Sequence, residues 1–306
     1  MAGIPKISVV ICTYNREKFI ARALETLTAQ TLSPDKYEIL IIDNNSTDNT
    51  ASICREFINT HQLFNIEYLF EASKGLSFAR NRGIAEASSP IIVYVDDDTE
   101  ASAGFLENIL IFFEANPGTV GIGGKVIPVY PDTGEPPWMN KYLYGFVGLV
   151  DYGDRPRLYH PPMKYPAGCN MSYTKEILQK AGGFNNQLTF RSDDKHIFFQ
   201  VKKLSSSIYY LPGAMVHHNI DRQRLSFDNF RKLFLKTGNE EKRRVKSESG
   251  IAGVIAKFFE FSFKLGASLL LYLKFLFSGQ ELKGRYTVYS QWFTFKGFFM
   301  KEVYVR

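Results

Sequence analysis

Residues 91–98 read Ile91-Ile92-Val93-Tyr94-Val95-Asp96-Asp97-Asp98. Five apolar residues, mostly β-branched or aromatic, predict a buried strand. Three carboxylates then crowd its carboxyl end. Like charges this close each make the next harder to ionise, so a cation is the natural counterweight. Hard oxygen donors in this number suit Mg2+ or Mn2+. In open α/β sheets, ligands bind beyond the carboxyl ends of the strands. The run therefore predicts a divalent metal holding a phosphate-bearing substrate. The alternative is an acidic loop at the start of the next helix, where the helix dipole favours Asp.

The pattern around this strand repeats its logic. Residues 7–12 (ISVVIC) predict a first buried strand, and residues 17–30 a helix whose apolar face is Phe19, Ile20, Ala23, Leu24 and Leu27. Residues 38–42 predict a second strand, ending at Asp43. Ser46-Thr47-Asp48 offers N-caps for a helix to about Asn59. A strand over 65–70 and a helix over 76–87 lead into the 91–95 strand. This alternation predicts an α/β fold with a parallel sheet and right-handed crossovers. A helix near 102–115 and a strand over 120–129 follow. Residues 130–165 are loop-rich, with Pro131, Pro136, Pro137, Pro156, Pro161 and Pro162, as expected of an insertion or lid beside a substrate. A second α/β piece spans Gly168 to Pro212, and the chain from about Phe227 onward reads as mainly helical.

With 306 residues the chain suits one large domain or a domain with an appendage. Three cysteines, Cys12, Cys54 and Cys169, show neither a disulfide framework nor metal-ligand spacing, which points to a reducing compartment. Strand-like residues begin at Ile7 with no apolar leader before them, so a cytoplasmic location is expected. From Arg222 to Arg306 there are 17 Lys and Arg against 7 Asp and Glu, whereas the rest of the chain holds 20 against 24. The basic excess thus belongs to the aromatic-rich C-terminal third.

Polar residues gather where the predicted strands end: Thr13-Tyr14-Asn15-Arg16, Asp43-Asn44-Asn45-Ser46 and the Asp run. No G-x-G-x-x-G follows the first strand and no Walker lysine loop is present, which disfavours dinucleotide oxidoreductases and P-loop NTPases. No nucleic-acid-binding module is recognised in the basic tail. Tyr14 offers a face for stacking on a base and Asp43 an acceptor for a base N–H. Taken singly, each reads equally well as a turn or helix-flanking residue.

The ordered strings VVICTYNR, IIDNNSTDNT, KGLSFARNRGI, VYVDDD and AGCNMSYTKEILQKAGGFN resemble a family 2 glycosyltransferase of the GT-A fold over about residues 5–225. The resemblance implies a Rossmann-like, mainly parallel sheet flanked by helices. Residues 1–128 would form the nucleotide-sugar half, 129–225 the acceptor-side half, and 226–306 a helical, amphipathic extension. It implies that Thr13, Tyr14 and Asn15 line the nucleotide pocket, that Asp43 bonds a uracil-type base, and that Lys74, Gly75, Ala79 and Arg80 lie along the nucleotide. Asp96 and Asp97 would face the nucleotide as part of a D-x-D signature, and Asp98 would ligate Mn2+ or Mg2+. Asn170 falls at the diphosphate or acceptor, with a structural turn amide as its alternative. Within Arg191-Ser192-Asp193-Asp194, Asp194 takes the place of the family's general base, and Asp193 stands where Glu is usual. His218 is assigned to the metal or the diphosphate.

The implied activity is an inverting transfer of a sugar, UDP-linked by preference, to an acceptor hydroxyl in cell-surface polysaccharide or lipid-linked glycan assembly. The alternatives are a polyprenyl phosphate acceptor, or a non-catalytic subunit that binds nucleotide-sugar or glycan. Residues 258–277 are strongly apolar but carry Glu260, Lys264 and Lys274. Charges so placed suit a helix lying in a membrane interface better than one spanning it. Lys242, Arg243, Arg244 and Lys246 precede this segment and suit anionic headgroups. A peripheral position on the cytoplasmic membrane face is therefore expected; an amphipathic helix packed on the domain or a partner is the alternative.

Overall fold

The apolar runs found in the sequence become the centre of a nine-stranded mixed sheet. The computed structural model describes residues 4–188 and 193–300. They fall into two units, one of residues 4–128, 148–188 and 193–219, the other of residues 129–147 and 220–300.

In the first unit, β1 (Ile7–Thr13), β2 (Tyr37–Asp43), β3 (Ile66–Phe70) and β4 (Ile91–Asp96) lie parallel in the order β3-β2-β1-β4. Both faces of these strands are covered, which explains why they read as continuous rather than alternating apolar runs. Val9, Ile11, Ile39, Ile41, Val93 and Val95 pack on one face with α1 (Ile20–Thr28), α2 (Thr50–Thr60) and α4 (Phe105–Ala115). Val10, Leu40, Ile42, Ile92 and Tyr94 pack on the other face with α3 (Leu76–Glu86), α5 (Lys175–Lys180) and α6 (Asp193–Leu204). Register places Cys12 beside Asp96 and Thr13 beside Asp43, so the polar strand ends share one edge.

Beyond β4 the sheet turns antiparallel. β8 (Asn170–Thr174) pairs with β4, and β6 (Gly121–Val129) pairs with β8. β9 (Ile208–Asn219) carries two short strands, β5 (Thr99–Ala101) and β7 (Arg157–Leu158). The sequence gives no hint of β5, because three residues carry no readable period. Its pairing with β9 sets Thr99 opposite His218, directly after the Asp run.

The second unit is built on α7 (Phe227–Phe277), interrupted at Gly250 (φ 60°, ψ −148°), and α8 (Glu281–Phe299). Part of the proline-rich stretch expected as an insertion or lid is core here. Trp138, Met139, Leu143 and Phe146 pack with Phe230, and Trp138 stacks on Tyr286 at 4.5 Å. Apart from Phe298, the buried side of α8 is made of small residues: Gly284, Thr287, Ser290, Thr294 and Gly297. These residues let the two backbones meet. A Cβ on Gly297 would lie 2.0 Å from the Leu235 carbonyl oxygen, and one on Gly238 would lie 2.0 Å from that of Thr294.

Ile251, Ile255, Phe259, Phe263, Leu270 and Phe277 of α7 are exposed. The expectation for the basic cluster before them is corrected at one residue. Arg244 is buried and paired with Glu241 at 2.5 Å and with Glu248, so it serves the helix packing rather than a headgroup. Among the described residues no helix is long and apolar enough to cross a membrane.

Candidate active site

At the end of β1, Thr13 is buried and Tyr14 presents an exposed ring. Asn15 adopts φ 53°, a left-handed conformation that Asn tolerates. Two bonds to the β2 loop hold it there: its N–H donates to Ser46 Oγ at 2.9 Å, and its Oδ1 accepts from Thr47 N at 2.7 Å. Asp43 ends β2 with 1% exposure. Its Oδ2 accepts from the Tyr68 hydroxyl at 2.6 Å and its Oδ1 from Ser46 N at 2.9 Å, so this carboxylate is engaged in shaping the loop. Asn44 receives the Gly75 N–H at 2.7 Å, which seats the start of α3. Gly75 itself has φ 137°, a value that excludes most side chains. Lys74 is exposed beside it, whereas Ala79 is fully buried in the core against the sheet.

The Asp run follows β4 as expected. Asp97 and Asp98 are buried, and Arg16, at the end of β1, lies 3.3 Å from Asp97 and 3.5 Å from Asp98. Arg16 stands in the strand-end cluster that the sequence singled out, yet nothing local to residues 13–16 reveals that it faces carboxylates 81 and 82 positions away. His218 Nε2 lies 3.5 Å from Asp98 Oδ1, and both groups are buried. The Asn219 N–H donates to the Asp98 carbonyl at 2.9 Å, which fixes β9 against the run. Burial pushes Asp97 up to about 8; Arg16 opposes the rise, and Asp98 and Asp96 add to it. Asp96 is raised as well: protein crowds it, although its side chain keeps 38% of its surface, and Asp98 reinforces the effect against Arg80. The surroundings therefore do not neutralise the run in its fully ionised form, and protons stay on it above the ordinary aspartate range. Among the described residues no set of three or more His, Cys, Asp or Glu side chains converges into a metal cage, so Asp98 and His218 stand as a pair.

Asp193 and Asp194 open α6, where the helix dipole favours carboxylates. Arg191 and Ser192 lie outside the described residues. Asp193 is buried and meets Arg80 Nη1 at 2.5 Å; Asp194 is half-buried and accepts from its neighbour's backbone, Lys195 N, at 2.7 Å. Arg80 also reaches Asp96 at 3.4 Å and donates to the Gly168 carbonyl at 3.0 Å. Burial alone would lower the Arg80 pKa, but Asp193 and Asp96 more than offset it and hold the guanidinium charged. Asn170, expected at the acceptor, is buried and donates its amide to the carbonyls of Lys125 at 3.0 Å and Ala214 at 2.9 Å. Its side chain thereby stitches β8 to its neighbours. Tyr14, Asn15, Asp96, Asp97, Asp98 and His218 at strand ends, Arg80 within α3, and Asp193 and Asp194 at the start of α6 thus belong to the same unit.

Known proteins share this fold and part of this sequence. Residues 8–182 match the family model described as glycosyl transferase family 2. A glucosyl-dolichyl phosphate glucuronosyltransferase of Haloferax volcanii is 25% identical over 233 residues, 73% of this chain and 72% of the relative. Glycosyltransferase AglE of the same organism is 35% identical over 132 residues, 43% of this chain and 42% of that protein. Among solved structures, the mannosyltransferase PcManGT from Pyrobaculum calidifontis, in complex with GDP-Man and Mn2+, superposes with a TM-score of 0.64 at 16% identity. The match covers 97% of this chain and 88% of that one.

Proposed function

From the premise that the chain belongs to glycosyl transferase family 2 and is a glycosyltransferase, we propose an inverting transfer from a nucleoside diphosphate sugar to an acceptor hydroxyl. The acceptor proposed is a lipid-linked glycan or a growing cell-surface polysaccharide. The observation that carries this reading is one sheet edge. It sets the Asp96–Asp98 run and His218 beside the start of α6, where Asp194 stands, with Arg80 bonded to both Asp96 and Asp193.

The donor side is assigned to Tyr14, whose exposed ring offers a stacking face for the base, with Asn15, Lys74 and Gly75 framing the loop beside it. UDP is the favoured carrier, and GDP and dTDP belong in the same test. Asp96, half-exposed at the end of β4, is assigned to the ribose hydroxyls. Asp98 and His218, a hard oxygen and an imidazole nitrogen 3.5 Å apart, fit two positions around one Mn2+ or Mg2+. Such ions are commonly held by one or two protein groups together with substrate phosphates, which suits a pair better than a cage. When bound, the ion supplies Lewis-acid stabilisation to the charge that builds on the leaving diphosphate.

The chain's own work lies on the acceptor side. Asp194 takes the proton from the acceptor hydroxyl as that oxygen bonds to the anomeric carbon. The bond from that carbon to the β-phosphate oxygen breaks, and its electron pair leaves with the diphosphate. One displacement inverts the centre, so no covalent nucleophile is required.

A lipid-linked acceptor is supported by the activity of the similar glucosyl-dolichyl phosphate glucuronosyltransferase of Haloferax volcanii and by the second unit of this chain. The exposed Phe259, Phe263 and Phe277 share α7 with Lys264 and Lys274, the mixture that docks in an anionic membrane interface with Lys snorkelling outward. A peripheral position on the cytoplasmic membrane face follows from this reading. Polyprenyl phosphate itself is the competing acceptor, and assays with lipid phosphate against lipid-linked oligosaccharide separate the two.

The first test is a donor screen. Purified protein in detergent with Mn2+ or Mg2+ meets a panel of nucleotide-sugars, with Asp98→Ala as control. One donor that binds only with metal and only to the wild type is expected. Folded protein that binds no donor with either metal would overturn the proposal.

A further inference from the structure

We propose that Arg80 is a positioning residue: it ties the first turn of α6 to the carboxyl end of β4, and so fixes where Asp194 stands relative to the donor. The inference rests on Asp194 as the base. It departs from the nucleotide contact that the family resemblance implies for Arg80.

The guanidinium is closed on every side that the structure describes. Its side chain keeps 3% exposure, Nη1 is held by Asp193 at 2.5 Å, and Nη2 lies between Asp96 at 3.4 Å and the Gly168 carbonyl at 3.0 Å. The rings of Phe184 and Tyr94 flank it at 5.5 and 5.9 Å. No open face remains for a phosphate. The third contact also explains a small residue: a Cβ on Gly168 would come within 2.8 Å of Nη2. The two carboxylates bridged by Arg80 belong to segments 97 residues apart, one on the donor side of the edge and one on α6. Asp193 and Asp194 are consecutive in a helix, where successive residues are rotated by about 100°. Pinning Asp193 inward therefore turns Asp194 out of the core, in agreement with its partial exposure. Arginine suits this task because its planar fork engages two acceptors in fixed geometry, which a lysine ammonium cannot reproduce.

The test uses the full chain in detergent and compares Arg80→Lys, Gly168→Ala, the double variant Arg80→Met with Asp193→Asn, and Asp194→Asn. Three readouts are taken: calorimetric affinity for UDP with Mn2+, amide hydrogen exchange over residues 193–197, and turnover with the donor found in the screen. The double variant removes the fully buried Arg80–Asp193 pair together, and leaves without its arginine only Asp96, whose side chain keeps 38% of its surface. For it, we expect UDP affinity within threefold of wild type, first-turn exchange in α6 at least tenfold faster, and turnover down at least 100-fold. Arg80→Lys and Gly168→Ala should fall between. Asp194→Asn should lose turnover without a change in α6 exchange. A tenfold loss of UDP affinity with α6 exchange unchanged would make Arg80 a nucleotide ligand and overturn the proposal. Full turnover in a stable double variant would reduce the bridge to charge compensation and overturn it equally. Full turnover in Asp194→Asn would remove the base assignment alone, since the exchange over residues 193–197 still judges the link.

Discussion

Metal-free protein should lose stability as pH rises from 5 to 8, and Asp97→Asn should abolish most of that loss. In the folded protein Asp97 is raised to about 8, chiefly by burial, from the ordinary aspartate value of 3.8. Between those values the folded state keeps a proton that the unfolded chain has released. Folding therefore takes up a proton, and the free energy of unfolding falls as pH climbs through this window. One proton corresponds to about 1.4 kcal/mol per pH unit, so this group alone removes about 2.7 kcal/mol between pH 5 and 7. Asp96 is raised too and acts with the same sign. The asparagine variant carries no ionisable group at residue 97. Its advantage over wild type should already have begun to grow by pH 5, widen steadily to pH 7, and level off above about pH 8. The Arg16 contact it disturbs is part-exposed and contributes little to the balance. Urea unfolding in EDTA at pH 5, 6, 7 and 8 measures the gap. A gap that stays constant with pH, or that narrows as pH rises, would refute the argument. With Mn2+ added, stabilisation of the wild type should grow over the same range, because metal binding requires the ionised carboxylates.

Three other outcomes follow from the structure. Asp194→Asn should lower turnover by about 10²–10⁴-fold, the usual worth of a general base, while calorimetry finds donor affinity changed by less than about threefold. Gly297→Ala places a Cβ against the Leu235 carbonyl, and its melting curve should register a loss of about 3 kcal/mol, at the upper end of overpacking costs. Phe259→Ser with Phe263→Ser alters only exposed rings. Flotation with vesicles of one-third phosphatidylglycerol should show binding reduced about tenfold or more with the melting temperature unchanged, and equal flotation of both proteins would remove this helix from membrane docking.

Much of the fold could be read from residues 7–129, because local periodicity carries it. ISVVIC, EILII and IIVYV are apolar on both faces and helices separate them, so buried parallel strands follow from the sequence itself. The Asp run marked the charged edge locally as well: three adjacent carboxylates after a buried strand conflict with one another whatever surrounds them. A single residue within the matching strings does not reveal its partners in this way. Asn170 and Asp43 stand where the resemblance implies ligand contacts, yet both are buried and hydrogen-bonded to protein. An amide or a carboxylate carries the same letter whether it faces a substrate or a backbone carbonyl.

The sequence by itself determined the α/β class, the parallel half of the sheet, the strand end where charge collects, and the gathering of basic and aromatic residues in the C-terminal third. These are properties of neighbours along the chain: side-chain period, turn chemistry and local charge. Tertiary structure alone decided which distant groups meet. It brought His218 to Asp98 across β5, placed Arg16 over the Asp run, buried Arg244 among glutamates, and joined Arg80 to Asp193 over 113 positions. Such pairings carry no period and no local signature. They arise because a buried charge must find its partner wherever the packed backbone happens to place one.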